Sequence, residues 1–215
     1  QSVNFKYTSN HFTGITLVII GSILFSTKAV MVKMAFRDTP VDAISLLALR
    51  MVFAFPFFVF MGIISLRKYK ESLPTKRQWR YIVLVGLLGY YISSLLDFIG
   101  LRYITAGLER LILFLYPSFV LLMNALFFKD KILNKQKIAL MMCYAGLVIA
   151  FVGEARLDIA MQNLIIGSSL IFLCAITYAM YIVGMGRLLK KMPAMLYTSF
   201  ALISSCIGVF AHYFF

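Results

Sequence analysis

Acidic residues are scarce in this chain: eight Asp and Glu stand against 21 Lys and Arg, and charges of both signs make up only 13% of 215 residues. A water-soluble domain carries about a quarter charged residues. With 62% hydrophobic residues and a mean hydropathy of +0.91, the composition is that of a polytopic membrane protein. Histidine is nearly absent, since His11 and His212 lie at opposite ends, and there is no HExxH, no GxSxG and no phosphate-cradling glycine loop. No enzyme, no catalytic residue and no cofactor is therefore expected. The three cysteines, Cys143, Cys174 and Cys206, sit in apolar runs without CxxC spacing, which argues against a disulfide framework or a metal site and reads as packing. No secretory signal is evident, because the apolar stretch after Lys6 and His11 reaches Lys28 without a small-residue cleavage site.

What is present is a succession of apolar rods. The most telling runs from Gly107 to Lys131, with no charge between Leu111 and Phe128. Those eighteen residues cover about 27 Å as a helix, close to the roughly 30 Å of a bilayer's hydrocarbon. Pro117 within it has no N–H to give the Leu113 carbonyl, so a bend is expected near mid-depth, and an interrupted helix in lipid points to an internal site near Tyr116.

Seven spans are expected, at roughly 14–36, 42–66, 80–101, 104–128, 135–153, 164–188 and 193–215. The net charge of +13 raises nucleic acid as a partner, but the bases fall in clusters between spans, which points to the lipid bilayer and excludes nucleic acid. Arg67, Lys68, Lys70, Lys76, Arg77 and Arg80, relieved by Glu71, follow the second span; Lys129, Lys131, Lys135 and Lys137 follow the fourth; Arg187, Lys190 and Lys191 follow the sixth. The alternate loops hold fewer bases and more acids: Arg37, Asp38 and Asp42, then Arg102, then Glu154, Arg156 and Asp158. The positive-inside rule then places the N-terminal segment, residues 1–13, in the cytoplasm.

The chain opens without Met and stops at Phe215 inside an apolar run, so a longer protein is expected. Laying Pro193 over Pro40 brings Thr198 onto Ser45 and Ala201 and Leu202 onto Ala48 and Leu49, a weak internal repeat. A five-span unit makes its second copy enter from the opposite side, as in secondary transporters. The expected division is a first repeat at 14–153 and the first two helices of a second, incomplete repeat at 164–215.

These residues resemble the EamA-type transporters of the drug/metabolite transporter superfamily. The resemblance rests on FSTKAVMVKMAF (25–36), LLALRMVFAF (46–55), YAGLVIAFVG (144–153) and, most specifically, GLRYITAGLERLILFLYPSFVLLMNALFFKDKI (100–132). It implies an all-α membrane protein of ten helices in two inverted five-helix repeats around a central pocket that moves small metabolites, of which seven transmembrane helices are present. Lys33, Arg50 and Pro117 look like the lysine, arginine and proline that recur in that family's first, second and fourth helices, and Asp130 stands where the family more often has glutamate.

Ionisable groups at membrane depth cost about 2.5 kcal/mol or more unless paired or hydrated. Lys28 lies near mid-depth, and reads either as a structural partner of an acid or as a cation facing a substrate's carboxylate or phosphate. Lys33 is nearer the end, where snorkelling is the simpler reading. Arg50, eight residues into its span, suits a carboxylate of the protein or of a ligand. Glu109 and Arg110 point about 100° apart on a helix, so they are not expected to share a partner, and one should face inward. Glu109, Tyr116 and Asn124 share one face of the fourth span, and Tyr90, Ser93 and Asp97 form a stripe on the third, both taken as cavity lining with helix packing as the alternative. Tyr178 and Tyr181 on the sixth span are further candidates.

The expected function is secondary transport of a small polar or amphipathic metabolite across the cell inner (plasma) membrane by alternating access. The expected substrate-binding set is Lys28, Arg50, Tyr90, Asp97, Glu109, Tyr116, Asn124 and Tyr178, with Asp97 or Glu109 positioned to carry a coupling proton. The alternative is a non-transporting sensor or assembly subunit whose buried charges specify helix pairing. Assembly as a homodimer is left open.

Overall fold

A computed structural model of the chain describes residues 11–70, 73–154, 160–189 and 192–215. The expectations for residues 1–10, Glu71, Arg156, Asp158, Lys190 and Lys191 lie outside the described residues. The structure is all helical: α1 (His11–Asp38), α2 (Ala43–Lys68), α3 (Lys76–Tyr103), α4 (Ala106–Phe128), α5 (Asn134–Glu154), α6 (Met161–Leu189) and α7 (Ala194–Phe214). Among the described residues six are long and apolar enough to cross a membrane; α5 is a 21-residue helix that is not among those six. The start of α1 at His11 also carries helix into the segment expected to precede the first span.

Local chemistry sets the ends. Asp42 opens α2 by accepting the Ile44 and Ser45 N–H groups at 3.1 and 3.2 Å. α3 begins four residues before its expected start, because Thr75 and Gln78 form a capping box: Gln78 Oε1 accepts the Thr75 N–H at 2.7 Å, and Thr75 Oγ1 accepts the Gln78 N–H at 3.4 Å. Lys76, Arg77 and Arg80 are thus the first turns of a helix rather than loop residues. Within α3, residues Leu87–Ile92 widen into a π-helical stretch, closed by the Ser93 N–H on the Leu88 carbonyl. In α4 the expected bend is a full break: the helix stops at Leu113, turns through Phe114 and Leu115, and restarts at Tyr116 with Pro117 in the new first turn, where a missing N–H costs nothing.

In a bilayer, lipid chains are as apolar as leucine, so close van der Waals contact rather than water exclusion selects helix partners. α3 and α6 run together at the centre, α7 packs against α2 and α3, and α4 lies on α6. α3 approaches through its glycines. A Cβ on Gly86 would lie 2.5 Å from the Ala201 carbonyl oxygen of α7, and Gly89 sits directly under the Tyr181 ring of α6. α1 is attached more lightly, to α3 and the first half of α4, and most of its described side chains are exposed. α5 contacts α4, and the Ser118 and Tyr144 hydroxyls are bonded across that contact. Outward faces carry Phe53, Phe57, Phe60 and Phe127, a surface suited to lipid. At one end of the bundle a groove is lined by Arg77, Phe128 and Arg187, bringing together bases of two of the clusters. At the other end Arg102 faces the Phe36 ring and Arg37 bonds Asp38.

Candidate functional site

The widened turn of α3 carries Tyr90, and the helix that follows carries Ser93, Ser94 and Asp97, all lining one small cavity of about 90 Å³ with Lys28 of α1, Arg50 of α2 and Tyr178 of α6. Lys28 Nζ donates to Asp97 Oδ2; the lysine side chain is 18% exposed and the aspartate 3%. This realises the structural pairing that was one of the two readings of Lys28, and it does so on the cavity wall. Arg50 is hemmed in by protein atoms yet open to solvent. Its guanidinium lies 5.9 Å from the Phe98 ring centroid, within electrostatic reach of Asp97, and among the described residues it donates no hydrogen bond.

Glu109, on the first half of α4, is fully buried beside the Asp97 carboxyl. Asp97 Oδ1 and both Glu109 oxygens have no hydrogen-bond donor among the described residues. Among the described residues Arg110 shares no third partner with Glu109 but pairs with Glu109 itself. Its side chain folds back so that Nε stands 3.3 Å from Glu109 Oε2, and its far nitrogen donates to the Phe25 carbonyl of α1 at 2.9 Å. Adjacent Cα–Cβ vectors do diverge, but a long guanidinium arm can cancel that divergence. Glu109 is the inward-facing member of the pair.

Aromatic rings form the cavity's second wall. Tyr181 donates to the Tyr90 hydroxyl at 2.7 Å, Tyr178 stacks on Tyr181 at 5.8 Å, and Tyr116 meets Tyr178 edge-on at 5.1 Å. Tyr116 and Arg110 line a second, larger cavity of about 510 Å³ that shares Phe25, Leu113 and Tyr178 with the first. Asn124 is not part of this assembly. It lines a separate space with Asp130 and Arg187, because the break at Phe114 and Leu115 interrupts the helical register that placed Glu109, Tyr116 and Asn124 on one face. Lys33 does not snorkel to solvent; its Nζ donates to the Leu101 carbonyl at 2.8 Å, covering a carbonyl near the end of α3. Of the cysteines, Cys174 is buried with its Sγ on the Ser93 carbonyl at 3.1 Å, Cys206 is buried near Met51, and Cys143 is exposed.

Sequence reasoning missed Phe25, Phe98 and Ser94. Phe98 faces both cations, at 5.9 Å from Lys28 and from Arg50, and Phe25 lies 5.4 Å from Lys28 and 4.8 Å from Arg110. The one signal for Phe98 was its place next to Asp97.

Residues 12–152 match the EamA-like transporter family, more than half of the chain. The chain belongs to the EamA-like transporter family. Among curated relatives it is 28% identical over 183 residues to the uncharacterized transporter YcbK of Bacillus subtilis, covering 83% of this chain and 56% of that protein. An uncharacterized transporter of Archaeoglobus fulgidus is 24% identical over 78% of this chain and 56% of its own length. One of Haemophilus influenzae is 27% identical over 58% and 43%. The chain thus spans about half the length of the curated relatives it matches. No solved structure matches it. Membership makes this a multi-pass membrane protein of a transporter family, and the Lys28, Arg50 and Asp97 cluster lies within the EamA-like region.

Proposed function

We propose that the chain belongs to a non-enzymatic secondary transporter of the inner (plasma) membrane that moves a small polar or amphipathic metabolite by alternating access. In this reading the N-terminus is cytoplasmic, residues 14–153 form a first five-helix repeat and 164–215 begin an inverted second one within a ten-helix whole. Support for the repeat comes from α2 and α7, the helices aligned by Pro40 and Pro193, which pack extensively against each other. Arg77 of α3 and Arg187 of α6, bases of two of the clusters, share one groove, which supports the orientation.

The observation that carries the proposal is Arg50: a guanidinium at membrane depth, lining a cavity and giving no hydrogen bond among the described residues. A charge kept only to specify helix pairing is expected to bond its partner directly, as Lys28 bonds Asp97; among the described residues Arg50 lies within electrostatic reach of Asp97 but bonds no acid and stays accessible, which favours a carrier over a sensor or assembly subunit. Asp97 and Glu109 interact side by side, and Asp97 Oδ1 and Glu109 Oε1 meet no donor among the described residues, which offers a place for a coupling proton. The test is reconstitution of the full-length protein in liposomes and counterflow of metabolites from a cell extract. Flux lost in R50Q and made independent of a pH gradient in D97N or E109Q is expected; flux with full pH dependence in both amide variants removes the proton role, and no flux of any solute removes the transport reading.

A further inference from the structure

The site's unused bonding groups define a ligand. Three cations, Lys28, Arg50 and Arg110, face two carboxylates, Asp97 and Glu109, so the constellation is cation-rich whether or not a proton sits between the acids. Lys28 is committed to Asp97, and Arg110 is committed to Glu109 and the Phe25 carbonyl. Arg50 is the cation with nothing to donate to among the described residues. Around it are hydroxyls with a proton to give: Tyr90, whose oxygen already accepts from Tyr181, and Tyr178, whose hydroxyl makes no hydrogen bond among the described residues.

The space has a matching asymmetry. The charged cavity of about 90 Å³ admits a head group of a few heavy atoms, whereas the adjoining one of about 510 Å³ admits a body the size of a substituted ring. Phe25, Leu113 and Tyr178 form walls of both, so one molecule can occupy the two together. Rings line the larger cavity, Tyr116 edge-on to Tyr178 together with Phe25, and suit a flat apolar surface.

We infer that this site takes an amphipathic monocarboxylate, its carboxylate on the Arg50 fork and the Tyr90 hydroxyl in the small cavity, its apolar body against Phe25, Tyr116 and Tyr178 in the large one. The inference rests on the transporter reading for its biological use, though not for binding itself. A planar guanidinium fits a carboxylate with two parallel bonds. The same fork also fits a phosphate, which makes the phosphate monoester the competing head group that the experiment separates from the carboxylate.

The experiment uses the full-length protein in nanodiscs of neutral phosphatidylcholine and four phenyl-bearing probes: 3-phenylpropanoate, 3-phenylpropanamide, 3-phenylpropylamine and phenyl phosphate. Affinity is read by calorimetry and by thermal stabilisation at pH 7. The carboxylate is expected to bind at least tenfold tighter than the other three. R50Q should weaken it about 10–100-fold, the range for one charge-assisted contact, and Y178L by a smaller factor, while K33Q, which changes only the Leu101 contact, leaves it unaltered. R50K, which keeps the charge and loses the fork, should restore only part of the affinity. Preference for the amide, the amine or the phosphate overturns the inference, as does carboxylate binding that R50Q leaves intact or the failure of all four probes to bind. The two readings fail separately: counterflow of neutral or cationic solutes without carboxylates sinks this one and leaves transport standing, while Arg50-dependent carboxylate binding with no flux does the reverse.

Discussion

Lys28 on α1 and Asp97 on α3 form a nearly buried ion pair, and it is the one charged side-chain pair tying the lightly packed α1 to the bundle among the described residues. Removing one member leaves the other's charge without a partner where solvation is poor, which costs about 3–5 kcal/mol. D97N is therefore expected to lower unfolding stability by about 3 kcal/mol or more, and the double variant K28M/D97N to recover more than half of that loss. Chemical denaturation in a fixed detergent checks both. The Arg187 and Asp130 pair is the contrast, with side chains 39% and 59% exposed, so D130A should cost less than about 1 kcal/mol.

Close helix contact makes a second prediction. Alanine at Gly86 would push its Cβ into the Ala201 backbone of α7, which cannot yield as a flexible side chain can. G86A should destabilise by about 1–3 kcal/mol through overpacking. At Gly186 on α6 an added methyl would meet nothing within 4 Å, so G186A should be neutral or stabilising by up to about 1 kcal/mol from helix propensity. Equal effects at the two positions would refute the close-approach account.

Asp42, outside the spans, sets a pH dependence. The Ser45 side chain foremost, joined by the backbone N–H groups of Ser45 and Ile44, holds its carboxyl below the ordinary aspartate value against the opposing effect of burial. A depressed folded-state pKa means that the cap's contribution is complete above the unfolded value of about 4 and is lost as pH falls through the lower folded value. D42A should cost about 1 kcal/mol at pH 7, and the difference between wild type and D42A should shrink below a pH of about 4. A difference that grows on acidification would contradict the capping role.

Much of this architecture is legible in the sequence because membrane spans announce themselves by length and hydropathy, and because charge in such spans is rare enough to single out Lys28, Arg50, Asp97 and Glu109. The stripe of Tyr90, Ser93 and Asp97 survives because it lies at the end of the π-helical stretch, beyond which α-helical spacing holds. Asn124 was misplaced for the opposite reason: its spacing from Glu109 crosses the break at Phe114 and Leu115. The early start of α3 was written in Thr75 and Gln78, a capping box hidden among bases that hydropathy treats as loop. Phe25 carries no sequence signal apart from the surrounding apolar run, and Phe98 none beyond its place next to Asp97, since what a ring faces depends on which helices meet.

The break in α4 yields the last prediction. Its two halves serve different neighbours: Glu109 and Arg110 in the first hold the charge cluster, and Tyr116 in the second faces Tyr178. Phe114 and Leu115 turn the chain with bonds to the Arg110 and Ile112 carbonyls, and Pro117 leaves no N–H with which to close the next turn onto Leu113. P117A restores that donor, so the helix can run through the break with one added bond worth about 1 kcal/mol. Amide exchange at residues 114–116 should then slow by about fivefold. If the break is the joint about which the two halves move, ligand affinity should stay within about twofold while turnover by the full-length protein falls, since binding groups are kept and only the joint is stiffened. Slower exchange with unchanged turnover would leave the break a structural feature and move the search for a joint to the π-helical stretch beside Tyr90.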